Sequence, residues 1–197
     1  FPVMVWQLDG EFLDLAISVE QVIVVDSIVK LETMHSTIQS EIAACTAKAK
    51  VTNNSLHVCV LGLDAEWRPV WSKGMAQRPA SILQLATRRA IFLVDLIATN
   101  ATTEAAATLN AVISALFQAS DLVKLGFAFD GDMGKLRQSY PGLSCFEVPC
   151  YPIIDGLSLL NMANIPHRKN NGPGLSEVAR LLLGARLDKA CQCSNWE

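Results

Sequence analysis

The stretch "LGLDAEWRP", residues 61–69, decides how the rest of the chain is read. Apolar residues climb to Leu63, and then Asp64 and Glu66 follow with one residue between them. Side chains at i and i+2 of a strand point to the same face, so this spacing sets two carboxylates side by side. Like charges that close repel, and burying them costs several kcal/mol unless something compensates. A strand that has simply emerged into solvent would show the same pattern. Three features weigh against that reading. The preceding "HVCVLGL" reads as buried. A second apolar run, "LVKLGFAF" (122–129), also ends at acids, Asp130 and Asp132. Ligand sites in open α/β sheets favour strand ends. Several carboxylates converging there call for divalent cations, and hard cations such as Mg²⁺ take oxygen ligands and pair with phosphates.

Outward from this stretch, the pattern predicts a strand at 21–25 ending in Asp26-Ser27, then a helix over 28–50. Residues 57–67, 80–88 and 90–97 read as three consecutive strands, the last two antiparallel across a tight polar turn. An Ala-rich helix follows over 102–120, with Thr103 as its expected cap. Strand 121–129, a short helix at 131–140, a strand running into a helix over 151–164, and an amphipathic helix at 175–184 ended by Gly184 complete the order. Three meandering strands followed by αβα units predict an α/β fold, a mixed sheet flanked by helices.

The chain of 197 residues is 51% apolar, enough for one sizeable core, and its formal net charge of −3 excludes a strongly basic coat for non-specific nucleic-acid binding. A nucleic-acid enzyme stays open, because metal ions and a local basic rim can supply positive charge. Cys45 and Cys59 read as small buried residues, and Cys191 and Cys193 have the wrong spacing for a zinc knuckle. The thiols read as those of an intracellular protein, in nucleus or cytoplasm. No apolar run is long enough to span a bilayer, and "FPVMVWQLDGEF" does not read as a signal peptide, so no membrane partner is expected. Residues 1–20 read as an N-terminal extension and 21–197 as the domain.

"LGLDAEWRP", then "ASILQLAT" and "AIFLVDL", then "KLGFAFDGDMGKL", then "GPGLSEVARLLLGARLDKACQCSNWE" together resemble the 3′–5′ exonuclease domain of the DEDD superfamily. The likeness runs from about Gln21 to the last residue, and it is similar in particular to the Werner-type and Nibbler-like exonucleases. The resemblance implies an RNase H-like fold and hydrolysis of phosphodiester bonds from the 3′ end of single-stranded RNA or DNA, RNA favoured, with two Mg²⁺ or Mn²⁺ ions. Protein partners are left unknown. Carried over, Asp64 bridges the two metals, Glu66 binds one and helps place the attacking water, and Asp132, in the Gly-Asp pair, holds the second. Asp130 reads as a solvated neighbour.

The lesser candidates carry two readings each. Trp67 could stack on a base or close the edge of the core. Arg68, Lys73 and Arg78 could form a basic rim or be scattered surface charges. Gln84 recurs in the family's second strand and is a nucleic-acid contact or a half-exposed strand residue. Asp155 fits a helix cap, and Leu175 and Ser176 open the helix that the family packs beside its substrate channel. Asn195 and Trp196 match the "SNW" before the last motif and join the nucleic-acid-binding set. In the family a helix with Tyr, or His, and a fourth metal-binding Asp follows "SNW". The sequence ends at Glu197 before it, and Asp188 matches the preceding linker. With no initiator Met, this predicts a domain incomplete at its C-terminus. A catalytically defective nucleic-acid-binding or scaffold module is the alternative. A small-molecule α/β enzyme finds no Gly-rich phosphate loop, nucleophile elbow or Walker motif in its favour.

Overall fold

A computed structural model of the chain describes residues 18–52, 57–70, 77–162 and 173–188. The strands are β1 (Val22–Val25), β2 (Cys59–Trp67), β3 (Ala80–Ala86), β4 (Ile91–Asp95), β5 (Leu122–Gly126) and β6 (Ile153–Asp155). The helices are α1 (Ile28–Thr52), α2 (Thr103–Gln118), α3 (Phe129–Ser139), α4 (Gly156–Met162) and α5 (Leu175–Leu183). They follow one another in the order the sequence predicts. One sheet contains all six strands, in the order β1-β4-β3-β2-β5-β6. The meander β2-β3-β4 is antiparallel, and β1, β5 and β6 join their neighbours in parallel. This is the mixed, helix-flanked sheet that the order of elements predicts.

The alternation in β2 explains the layering. Cys59, Leu61, Leu63 and Ala65 are buried, and the residues between them are partly or fully exposed. By register, Leu63 lies opposite Leu85, which lies opposite Phe92, and Ala65, Leu83 and Val94 form the next row. This face of the sheet belongs to one core with Leu31, Met34, Ile38 and Ile42 of α1 and Leu109, Val112, Ile113, Leu116 and Phe117 of α2. Their spacing gives each helix one apolar stripe. Cys59 is buried as expected, whereas Cys45 is only half-buried and packs against the core's margin.

Two local readings are corrected. Thr102, not Thr103, caps α2: it has extended backbone angles and its Oγ1 accepts from Ala105 N–H at 3.1 Å, whereas Thr103 is already helical. The helix after β5 begins at Phe129, two residues before the expected start, so Asp130 and Asp132 both fall in its first turn. The chain reverses tightly to achieve this. Ala128 takes a left-handed φ of 54°, and a Cβ on Gly126 would stand 2.5 Å from Phe129 Cβ. Only a glycine lets α3 fold back this closely onto the strand it leaves.

β2 outruns its parallel neighbour. Its pairing with β5 covers Cys59 to Gly62 only, while its pairing with β3 continues to Trp67 across a register shift at Glu66/Trp67. α3 contacts both β2 and β3. The overhanging half of β2 and the first turn of α3 therefore meet at one end of the sheet, and that end carries the acids.

Candidate active site

Asp64 and Glu66 project from the face of β2 opposite the core, as their two-residue spacing predicts. Asp64 is exposed and Glu66 half-buried. Asp132 comes to them from α3. It sits beside the buried Met133 and one turn after the buried Phe129, so packing fixes the helix that presents it. Its carboxyl is pushed up to about 7, first by burial and then by the charges of Asp64 and Glu66. The three residues singled out in sequence thus sense one another in space. Asp130, on the same helical turn, is exposed.

The donor chemistry fits a divalent metal: three carboxylates offer only hard oxygen ligands, and their mutual repulsion is what a cation would relieve. Yet among the described residues no group of three His, Cys, Asp or Glu side chains is arranged to hold a metal ion. The carboxylates feel one another's charge without closing on a single point. Asp64, Glu66 and Asp132 are the residues that would hold the metal.

Beside Asp64 opens a cavity of about 510 Å³ between the outer face of the sheet and α5. Its floor includes Gly62, Ala86 and Leu125, and Leu175, Val178 and Leu182 of α5 form a wall. These α5 positions recur at helical spacing, which is the signal in sequence that finds them. Ser176 anchors the start of α5 by exchanging two hydrogen bonds with the backbone of Leu187, at 3.0 and 3.1 Å. Gln84 lies directly across from Asp64 in the β2–β3 pair, lines the same cavity and is half-buried.

Trp67 packs half-buried against the core, and Lys135 Nζ lies 5.5 Å from its ring centroid. The same ammonium donates to the Arg78 carbonyl. Burial lowers the Lys135 pKa. Sequence reading passed over Lys135, although it stands one turn after Asp132. Arg68 and Arg78 are exposed. Asp155 accepts from the backbone N–H groups of Leu157 and Ser158 at 3.0 and 3.1 Å, the capping role expected of it. Asp95 does the same for Ile97 and Ala98. Lys73, Asn195 and Trp196 lie outside the described residues.

An RNase H-like sheet with a carboxylate cluster at the end of its longest strand defines the nuclease class. No family model matches the chain. It is 34% identical over 150 residues to the human exonuclease mut-7 homolog, covering 70% of this chain and 17% of that protein. The crystal structure of the Aedes aegypti Nibbler EXO domain superposes with a TM-score of 0.66 at 25% identity, covering 92% of this chain and 77% of that one. Escherichia coli RNase D shares the fold, with a TM-score of 0.59 at 15% identity over 88% of this chain and 36% of its own. These likenesses support a 3′–5′ exonuclease domain of the DEDD superfamily. It spans only 17% to 23% of the exonuclease mut-7 homologs it matches. Exonucleases of this superfamily generally depend on divalent metal. Among the described residues no helix is long and apolar enough to cross a membrane.

Proposed function

We propose that this chain removes nucleotides from the 3′ end of single-stranded RNA, with Asp64, Glu66 and Asp132 as the catalytic and metal-binding carboxylates for two Mg²⁺ or Mn²⁺ ions. The observation that carries the proposal is that β2 and α3 bring these three acids to one end of the sheet, near enough for Asp64 and Glu66, after burial, to raise Asp132 to about 7. A protein surface that only gripped phosphates would gain nothing from acids that repel them. When bound, such cations make water a nucleophile near neutral pH and neutralise charge on the phosphate. Glu66, half-buried on the sheet, would hold one cation and help place that water. Arg68 offers an exposed guanidinium to the strand's backbone. Trp67, backed by Lys135, and Gln84 border the path, and Asn195 and Trp196 extend the proposed contact set outside the described residues. RNA is favoured over DNA by likeness in fold to a Trypanosoma brucei RNase D solved in complex with RNA U12.

A second reading, a nucleic-acid-binding module without chemistry, is favoured by one observation: among the described residues the acids do not converge to metal-holding geometry. The test is incubation of the chain with 5′-labelled single-stranded RNA and DNA, in Mn²⁺ or in EDTA, beside Asp64→Ala. The proposal expects a Mn²⁺-dependent ladder shortening from the 3′ end on RNA, absent in the variant. A folded chain that binds the RNA and leaves it intact in Mn²⁺ would establish the second reading instead.

A further inference from the structure

The three acids meet from two elements, and their charges push those elements apart. Asp132 feels the charges of Asp64 and Glu66, so α3 has to be held against the strand end that bears them. Asp132, Lys135 and Ser139 stand three and four residues apart, on one face of α3. Beyond Glu66 the β2–β3 register shifts, and Trp67 pairs with Ala80. A bulge of this kind re-aims side chains and recurs beside active sites. α3 is tied to this pair. Ser139 Oγ accepts from Ala80 N–H at 2.9 Å, and Tyr140 Oη donates to the Ala80 carbonyl at 2.5 Å. Lys135 is nearer the acids, and it reaches both strands. Its ammonium lies 5.5 Å from the ring centroid of Trp67, the residue after Glu66, and donates to the Arg78 carbonyl just ahead of β3. That ring distance lies within the range of a cation–π attraction. Lys135 is half-buried, and partial loss of water strengthens both contacts.

We propose that Lys135 is a positioning residue for the carboxylate site: its ammonium, shared between the Trp67 ring and the Arg78 carbonyl, clamps α3 to the end of the β2–β3 pair and holds Asp132 close to Asp64 and Glu66 against their repulsion. The inference rests on the reading of those acids as the site, given above, and on no bound metal. The role is geometric. A lysine that neutralised the acids would lower their repulsion, whereas a clamp maintains it. The two roles have opposite signatures once Asp132 loses its charge.

The deciding measurement needs neither metal nor catalysis. Thermal melts of the full chain in EDTA at pH 8 compare the wild type, Asp132→Asn, Lys135→Met and the double variant. Methionine keeps most of the lysine stem and removes its charge and its donors. In the wild type, Asp132→Asn relieves the repulsion and raises the melting temperature by about 2 °C or more. Without the clamp α3 relaxes away from β2, little repulsion is left to relieve, and the same substitution yields less than half that rise in Lys135→Met. Lys135→Arg, which keeps the charge, the donor and the ring contact, restores the full rise. Should Lys135→Met fail to fold, Lys135→Gln, neutral and shorter, takes its place with the same expectation. An equal rise in both backgrounds makes Lys135 a residue of the fold alone and overturns the positioning role. A larger rise in Lys135→Met makes its charge a counterion of Asp132 and overturns it as well. If Asp132→Asn fails to raise the melting temperature of the wild type, the acids do not press on one another, and the reading of the site falls with the clamp.

Discussion

Lys124 and Asp132 stand eight residues apart on β5 and α3, and both bring a charged group out of water. They resolve its cost in opposite ways. Lys124 lies on the core side of the sheet, opposite Leu61, with no exposed surface. Its ammonium donates to the carbonyls of Ala119, Leu122 and Tyr151 at 2.8, 2.9 and 2.7 Å. Burial lowers its pKa, and three short bonds to backbone acceptors compensate. Asp132 is only half-buried, and its pKa is raised first by that burial and then by the charges of two more acids. The first group is satisfied by the fold. The second meets, among the described residues, the repulsion of Asp64 and Glu66. A buried charge with internal partners is architecture; a buried charge facing its own kind marks where a ligand of opposite sign belongs.

The sharpest way to break this contrast is Asp132→Asn. If Asp132 serves a cation, cleavage in Mn²⁺ should fall by at least about 10²–10³-fold, measured on labelled RNA with any version of the chain that cleaves it. The same substitution should stabilise the metal-free chain. Asp132 has a folded value of about 7 against an ordinary value of 3.8. Its folded form therefore holds a proton that the unfolded form releases between those values. Its contribution to stability is fully present below about 4 and is lost as pH rises through about 7. Thermal melts in EDTA should show wild-type stability declining across that window, and Asp132→Asn should flatten the decline. An unchanged pH profile would mean that Asp132 does not feel its neighbours.

Lys124→Met should do the reverse and leave the site's chemistry intact while costing stability. Orphaned buried acceptors cost about 1–3 kcal/mol each, and the Ala119 carbonyl also accepts from Leu122 N–H, so a total of about 3 kcal/mol is expected by urea unfolding. A loss below about 1 kcal/mol would show that the ammonium is not needed by the fold. Gly126→Ala comes next. Its Cβ would meet Phe129 Cβ at 2.5 Å, and overpacking of this kind costs about 1–3 kcal/mol. Because Phe129 opens the helix that carries Asp132, metal affinity should fall along with stability, which separates this variant from Lys124→Met. The smallest effect distinguishes the two threonines before α2. Thr102→Ala should lose about 1 kcal/mol through the lost cap, and Thr103→Ala much less.

The order of elements was legible because apolar periodicity and turn residues agree along most of the chain. The three acids were legible for different reasons: Asp64 and Glu66 from strand geometry, and Asp132 from its place after a second apolar run and from the Gly-Asp segment it shares with a family. Lys124 was not. In "DLVKLGFAF" a lysine reads as a solvent-facing residue, and nothing local announces that carbonyls from Ala119 and Tyr151 will gather round it. The pairing of Lys135 with Trp67 and the place of Gln84 opposite Asp64 were equally hidden, because both depend on register between segments far apart in sequence. The shift of the α2 cap by one residue shows the finer limit. Two adjacent threonines have the same chemistry, and only backbone angles choose between them.

The alternation along β2 has one more consequence. A strand whose side chains alternate can pair one residue out of step, and the slip turns every side chain to the opposite face. Between β3 and β5, such a slip would drive Asp64 and Glu66 toward Leu31 and Met34 and turn Leu61 and Leu63 out to water. In an all-apolar strand that error would be cheap enough to persist. Here the two acids act as a checksum during folding: a chain that assembles out of register meets a penalty of two buried carboxylates and cannot settle.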